Sequence, residues 1–219
     1  MSYIVLVQQA ATPTSNPSAG NILLYADTLP ELRLLDPAGN AYFLDNNRIL
    51  RNASIATVSA GYASDTYLAG SSIVIPTAGA WKATTCYRCT FDMTKTGAGT
   101  ATPIITIRMG TLGTTGDAAI ATITFGAGSA AIDTGTFEVM VNFRSVGAGT
   151  SAVIQTVVKC EHHLAATGLT NTGASGCGII LATSSGFNST TQTTIGLSFN
   201  GGSSFSGTNT LVQSKLDYL

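Results

Sequence analysis

Along most of this chain apolar and polar positions alternate with a period of two, the spacing of strands half-buried on one face. In 81–95, Ala83, Thr85, Tyr87, Cys89, Phe91 and Met93 form one face; Lys82, Thr84, Cys86, Arg88, Thr90 and Asp92 form the other. In 104–109, Ile105, Ile107 and Met109 read as inward, with Thr106 and Arg108 outward. The run 119–125 points Ala121, Ile123 and Phe125 inward. The run 136–146 sets Phe137, Val139, Val141 and Phe143 against Glu138, Asn142 and Arg144. Shorter strand-like runs cover 66–69, 72–76, 152–162, 177–183, 194–199 and 210–219. Turn sequences separate them, among them Gly-Ala-Gly-Thr at 97–100 and 147–150, and Asn-Gly-Gly-Ser at 200–203. No segment of useful length has a helical period, although 44–56 reads as a short helix or an extended connector. Roughly eight to ten strands at this spacing predict an all-β fold whose body is a jelly-roll-like β-sandwich. Its core would include Phe91, Ile105, Ile107, Ile123, Phe125, Phe137, Val139, Val141, Phe143, Ile195, Leu197 and Phe199. Burying each such side chain contributes ~1.5–3 kcal/mol, enough for a body that folds independently.

The first fifty residues break this alternation. Ile22–Tyr25, Leu32–Leu35 and Tyr42–Leu44 are apolar on both faces, with only Arg33 interrupting the second. Between the last two lies Asp36-Pro37-Ala38-Gly39, with Asp, Pro and Gly at favoured positions of a β-turn. A strand covered on one side alternates, and one covered on both sides does not. These hairpin strands therefore present more apolar surface than they can hide alone. Ile22, Leu24, Tyr25, Leu32, Leu34, Leu35, Tyr42, Phe43 and Leu44 are the candidate docking residues. The chain reads as an N-terminal β-hairpin attachment segment over 1–50, a connector over 51–60 and a body over 61–219.

Pro17, Gly20, Leu24, Tyr25, Leu34, Asp36, Gly39 and Leu44 also carry a resemblance. Pro-x-x-Gly, a strand ending in Tyr, a second strand, Asp-x-x-Gly and a third strand resemble the attachment segments of bacteriophage fibre and capsid-decoration proteins. The match covers about an eighth of the chain, and its motif is loose. Leu29-Pro30-Glu31 departs from it, because such segments usually carry a short Asp-Gly-type turn there. The resemblance implies a virion protein, a capsid decoration or head fibre, held by the major capsid protein or another virion platform. It also implies a homotrimer. Tyr218 and Leu219, at the end of what reads as a central strand, are the candidate subunit contact.

Composition narrows the function further. Charged residues are 10% of the chain, and none lies between Glu161 and Lys215. Ser, Thr, Asn and Gly must then coat the surface, as suits a protein packed in a symmetric array. No apolar run reaches the ~20 residues of a spanning helix, so no membrane partner is expected. With a net charge of −1, no basic stripe and no Lys/Arg cluster, neither is nucleic acid. The N-terminus lacks a charged n-region and a signal-peptide core, which fits synthesis in the host cytoplasm and work on the virion. The four cysteines then default to thiols.

Candidate chemistry is sparse. Cys86-x-x-Cys89 and Cys160-Glu161-His162-His163 could suggest zinc. Residues i and i+3 of a strand face opposite ways, so packing cysteines are expected and no metal or cofactor. His162 and His163 are the two histidines, and adjacent strand residues cannot serve one site. Acids such as Asp117, Asp133 and Glu138 read as singletons rather than the pair a glycosidase needs. No nucleophile motif or phosphate loop is present, so an enzyme is not expected. The alternative function is a receptor- or carbohydrate-binding fibre-tip module with a host surface glycan as ligand. It would stack sugars on Trp81, Tyr62, Tyr67 and Tyr87, or use loops 97–100, 113–117, 165–176 and 201–208. For those aromatics, packing in core and interface is the favoured role.

Overall fold

The computed structural model describes residues 7–8, 23–26, 32–35, 41–43, 48–56, 58–75, 77–100, 102–172 and 177–218. The chain divides into two units, Met1–Arg48 and Ile49–Leu219. In the first, β1 (Val7–Gln8), β2 (Leu23–Ala26), β3 (Leu32–Leu35) and β4 (Ala41–Phe43) form one sheet in that order. β1 runs parallel to β2, and the other two pairings are antiparallel. The register puts Leu24, Leu34 and Tyr42 in one cross-strand row, flanked by Leu23–Leu35–Ala41 and Tyr25–Arg33–Phe43. Alternate rows belong to opposite faces, so apolar positions fall on both. Ile22, Leu44 and the turn 36–39 lie outside the described residues.

The second unit is a sandwich of antiparallel sheets. Its strands are β5 (Arg48–Ser54), β6 (Val58–Gly61), β7 (Thr66–Tyr67), β8 (Ile73–Val74), β9 (Cys86–Lys95), β10 (Ile104–Gly110), β11 (Ala118–Thr124), β12 (Asp133–Ser145), β13 (Val153–His162), β14 (Cys177–Thr183), β15 (Thr194–Asn200), β16 (Gly207–Asn209) and β17 (Val212–Tyr218). The larger sheet runs β14-β13-β12-β9. The far edge of β9 is shared lengthwise by β16 and β17, which pair onward with β6 and β5. The smaller sheet runs β11-β10-β15, with β7 and β8 both on β15. The chain passes between sheets at β6–β7, β8–β9, β9–β10, β11–β12, β14–β15 and β15–β16, while β12–β13–β14 stays in the larger sheet as a meander. No helix among the described residues is long and apolar enough to cross a membrane.

The alternating runs bury the faces they predict. Tyr87, Cys89, Phe91 and Met93 are buried, as are Phe137, Val139, Val141 and Phe143 across from them. Phe91 and Phe137 stack at 5.0 Å, and Phe199 of the smaller sheet meets both edge-on at 6.1 and 5.7 Å. Trp81 stacks on Phe143 at 5.1 Å and donates its indole N–H to the Gln192 carbonyl at 2.8 Å. Each aromatic pair adds about 0.5–1.5 kcal/mol to the area it buries.

Three expectations need correction. Within segment 44–56 the helical alternative is overturned, because β5 occupies Arg48–Ser54 and pairs with β17, so the chain there is extended and belongs to a sheet. Of its inward positions Leu50 packs against the core, but Asn52 and Ser54 are polar, which hid the pattern: the Asn52 amide donates to the Ser72 carbonyl at 2.7 Å. Ala83 is exposed rather than on the buried face, because Thr84, at φ 74°, interrupts the extended backbone before β9. Thr106 is buried rather than outward, and Arg108 beside it is largely covered. β15 is buried on both faces, and Arg108 Nε lies across it, donating to Ser198 Oγ at 2.8 Å.

β17 lies between β9 and β5, an interior position for the closing strand. The backbone of Tyr218 ends β17, while its side chain and Leu219 lie outside the described residues.

Candidate functional site

Alternation places every second side chain of the larger sheet on its outer, solvent face. The registers join these into rows across the strands. One row reads Lys215, Arg88, Met140, Val157 and Leu181, from β17 to β14. The next reads Gln213, Thr90, Glu138, Lys159 and Ile179. With Arg51 of β5, most of these residues line a groove over the face. Its two ends differ chemically. The β5–β17–β9 end carries Arg51, Lys215 and Arg88; the β13–β14 end carries Val157 and Ile179, with Leu181 just beyond the groove on the same face, and Ile179 is 64% and Leu181 62% exposed. Lys159 sits between, ion-paired with Glu161 at 2.9 Å, and that cation holds the Glu161 carboxyl below its usual range. Sequence reading expected no basic stripe and no Lys/Arg cluster, and the grouping of Arg51, Arg88 and Lys215 corrects the second part. The cations come from separate strands and meet only through pairing.

A second polar cluster closes one end of the sandwich. Asp133 is buried at the start of β12, opposite Lys95 at the end of β9. Its carboxylate accepts from His162 Nδ1 at 2.5 Å and from the backbone N–H groups of Leu164, Ala165 and Leu169 at 3.3, 2.9 and 3.1 Å. Burial alone would raise this carboxyl. The hydrogen bonds from His162, Ala165 and Leu169 outweigh it and hold the group below its ordinary value. The Lys95 ammonium donates to the carbonyls of Ser129, Ala131 (3.0 Å) and Gly168 (3.2 Å). Burial lowers its pKa, against the pull of Asp133. Two loops, 126–132 and 163–169, are thus tied to the strand ends by a buried acid and a buried base.

Cys160 Sγ lies 4.0 Å from His162 Nε2, so thiol, imidazole and carboxylate stand in line. That order can relay a proton from a nucleophile. Here the sulfur is fully buried in the core. The Asp133 carboxylate at the other end of the line holds the 163–169 loop through its backbone N–H groups.

The remaining candidates are separated rather than gathered. Cys89 is buried, and burial pushes its thiol up to about 12, while Cys86 is half-buried on the opposite parity. Both are free thiols. His162 turns inward; His163, beside it, is exposed and within 3.4 Å of Thr136. Among the described residues no three His, Cys, Asp or Glu side chains converge as metal ligands. Asp117 is buried and accepts from the N–H groups of Thr111, Leu112 and Gly113, so it shapes the 111–117 loop. Trp81, Tyr62 and Tyr87 are core residues, in the packing role favoured for them over sugar stacking.

No family model matches this sequence, and no curated protein matches it as a relative. Among solved structures, it is similar to the CBM2 module of the evolved Dit of Lactobacillus casei BL23 phage J-1. The identity is 13%, covering 81% of this chain and 96% of that one at a TM-score of 0.33. It is also similar to a beta-fructofuranosidase from Schwanniomyces occidentalis, at 7% identity, over 90% of this chain and 39% of that one, with a TM-score of 0.27. At such TM-scores neither likeness bears on what this chain does.

Proposed function

We propose that this chain is a structural virion protein, a capsid decoration or head-fibre component. Its Met1–Arg48 unit docks on the major capsid protein or another virion platform, and its sandwich projects outward. The observation that carries the reading is the ribbon β2–β3–β4, whose register sets apolar positions in successive rows and so on both faces. Strands of three or four residues are not stable with both faces in water, so this unit asks for cover. The resemblance of Pro17–Leu44 to phage attachment segments supplies the kind of partner. A homotrimer would turn weak single contacts into firm attachment.

The body is read as non-catalytic, because its aligned thiol, imidazole and carboxylate lie sealed in the interior. The glycan-binding alternative loses support where its stacking rings Trp81, Tyr62 and Tyr87 are buried. It would then rest on the loops alone.

Co-sedimentation with particles lacking this protein tests the proposal. The wild-type chain is expected to pellet with them. Leu24→Asp with Leu34→Asp should abolish pelleting without moving the denaturation midpoint of the body. Pelleting that survives both substitutions would overturn the docking role. Copy number per particle separates decoration, with many copies, from a fibre, with few.

A further inference from the structure

The groove on the outer face of the larger sheet has a specific chemistry. Lys215 and Arg88 are cross-strand neighbours, followed on the same row by Met140, Val157 and Leu181. The row therefore passes from two cations to three apolar side chains. Large side chains as exposed as Ile179 and Leu181, grouped on one face, mark an interaction surface. From β17 to β14 the row crosses four strand spacings, about 19 Å. An extended peptide rises about 3.3 Å per residue, so roughly six residues span it.

The geometry points to a second binding surface, for an extended segment of a partner protein with acidic residues at one end and apolar residues at the other. Charge complementarity fixes the acidic end, because Arg51, Lys215 and Arg88 gather over three adjoining strands while Glu138 is the one acid lining the groove among its described residues. The polar middle, Thr90, Glu138 and Lys159, favours a peptide with its own polar groups over a plain hydrocarbon tail. No aromatic side chain lines the groove among its described residues, so sugar stacking has no platform.

Fluorescence anisotropy of the full chain with a labelled hexapeptide, Asp-Glu-Ser-Leu-Val-Leu, tests the inference. Saturable binding is expected, weakened ~5-fold as salt rises from about 50 to 300 mM. Arg88→Glu with Lys215→Glu should weaken it at least ~10-fold. Ile179→Ser with Leu181→Ser should weaken it ~5-fold. Arg88, Ile179 and Leu181 are exposed and Lys215 is half-buried at the surface, so both variants should keep the wild-type denaturation midpoint. No saturable binding, or binding indifferent to both variants, would overturn the inference. So would dodecanoate or a heparin fragment binding this face while the peptide does not. None of these outcomes touches particle docking through Leu24 and Leu34, so the two readings fail separately.

Discussion

Asp133 shows how a single side chain can hold a sandwich end in place. It receives one imidazole and three backbone N–H groups, all inside the protein. The sequence reading put Asp133 near a turn with the strand starting at 136, but β12 begins at Asp133, and the inward parity extends back to it. Lys95 continues the inward parity of Phe91 and Met93, Asp133 that of Phe137 and Val139, and His162 that of Val158 and Cys160. What the pattern could not show was that the three strand ends meet, since Asp133 pairs with Lys95 and Gly135 with His162 only once the registers are set. Asp133→Asn leaves Lys95 without its nearby anion and weakens the loop contacts. Removing the buried carboxylate that His162 and three backbone N–H groups share costs ~3–5 kcal/mol, which urea denaturation would measure. The pH dependence follows from the depressed carboxyl. Between its native value and the ordinary ~3.9, the unfolded chain binds more protons, so stability falls as pH falls through that window. In Asp133→Asn the acid loss should shrink, as denaturation midpoints across pH 2–5 would report.

At the scale of elements, β5 and β17 complete the larger sheet. β17 fills most of the far edge of β9, and β5 covers β17 in turn. The Ser214 hydroxyl donates to the Gly70 carbonyl at 2.8 Å, and Leu216 is fully buried. A fragment beginning at Ile49 keeps all but the first residue of β5 and should unfold at the same denaturant midpoint as the full chain. One beginning at Val58 loses β5 and exposes an edge of β17, so its midpoint should fall, or the fragment should aggregate through that edge. Equal midpoints for the two fragments would mean that β5 adds nothing to the body. This strand escaped the sequence reading for a physical reason: Asn52 and Ser54 are satisfied by hydrogen bonds rather than by apolar contact, and a period-two search counts apolar residues.

For the whole molecule, the open question is assembly. A trimer joined through the body or its C-terminal strand should appear at three times the 22.3 kDa chain mass in size-exclusion chromatography with light scattering. A clean monomer at micromolar concentration would weigh heavily against it. If the cationic–apolar groove binds a partner, a lattice of weak contacts could hold the body as well as the ribbon, and avidity would raise the attachment.

The sequence alone determined the all-β class, most strand faces and most of the core, because side-chain alternation is a local consequence of strand geometry. It also marked Leu24, Leu34 and Tyr42 as residues in need of cover. Tertiary structure alone decided which strands are neighbours. Pairing joins residues that are far apart in the chain, as Lys215 meets Arg88 and Asp133 meets Lys95. The cationic end of the groove and the buried acid–base cluster are both products of that register, which no local pattern encodes.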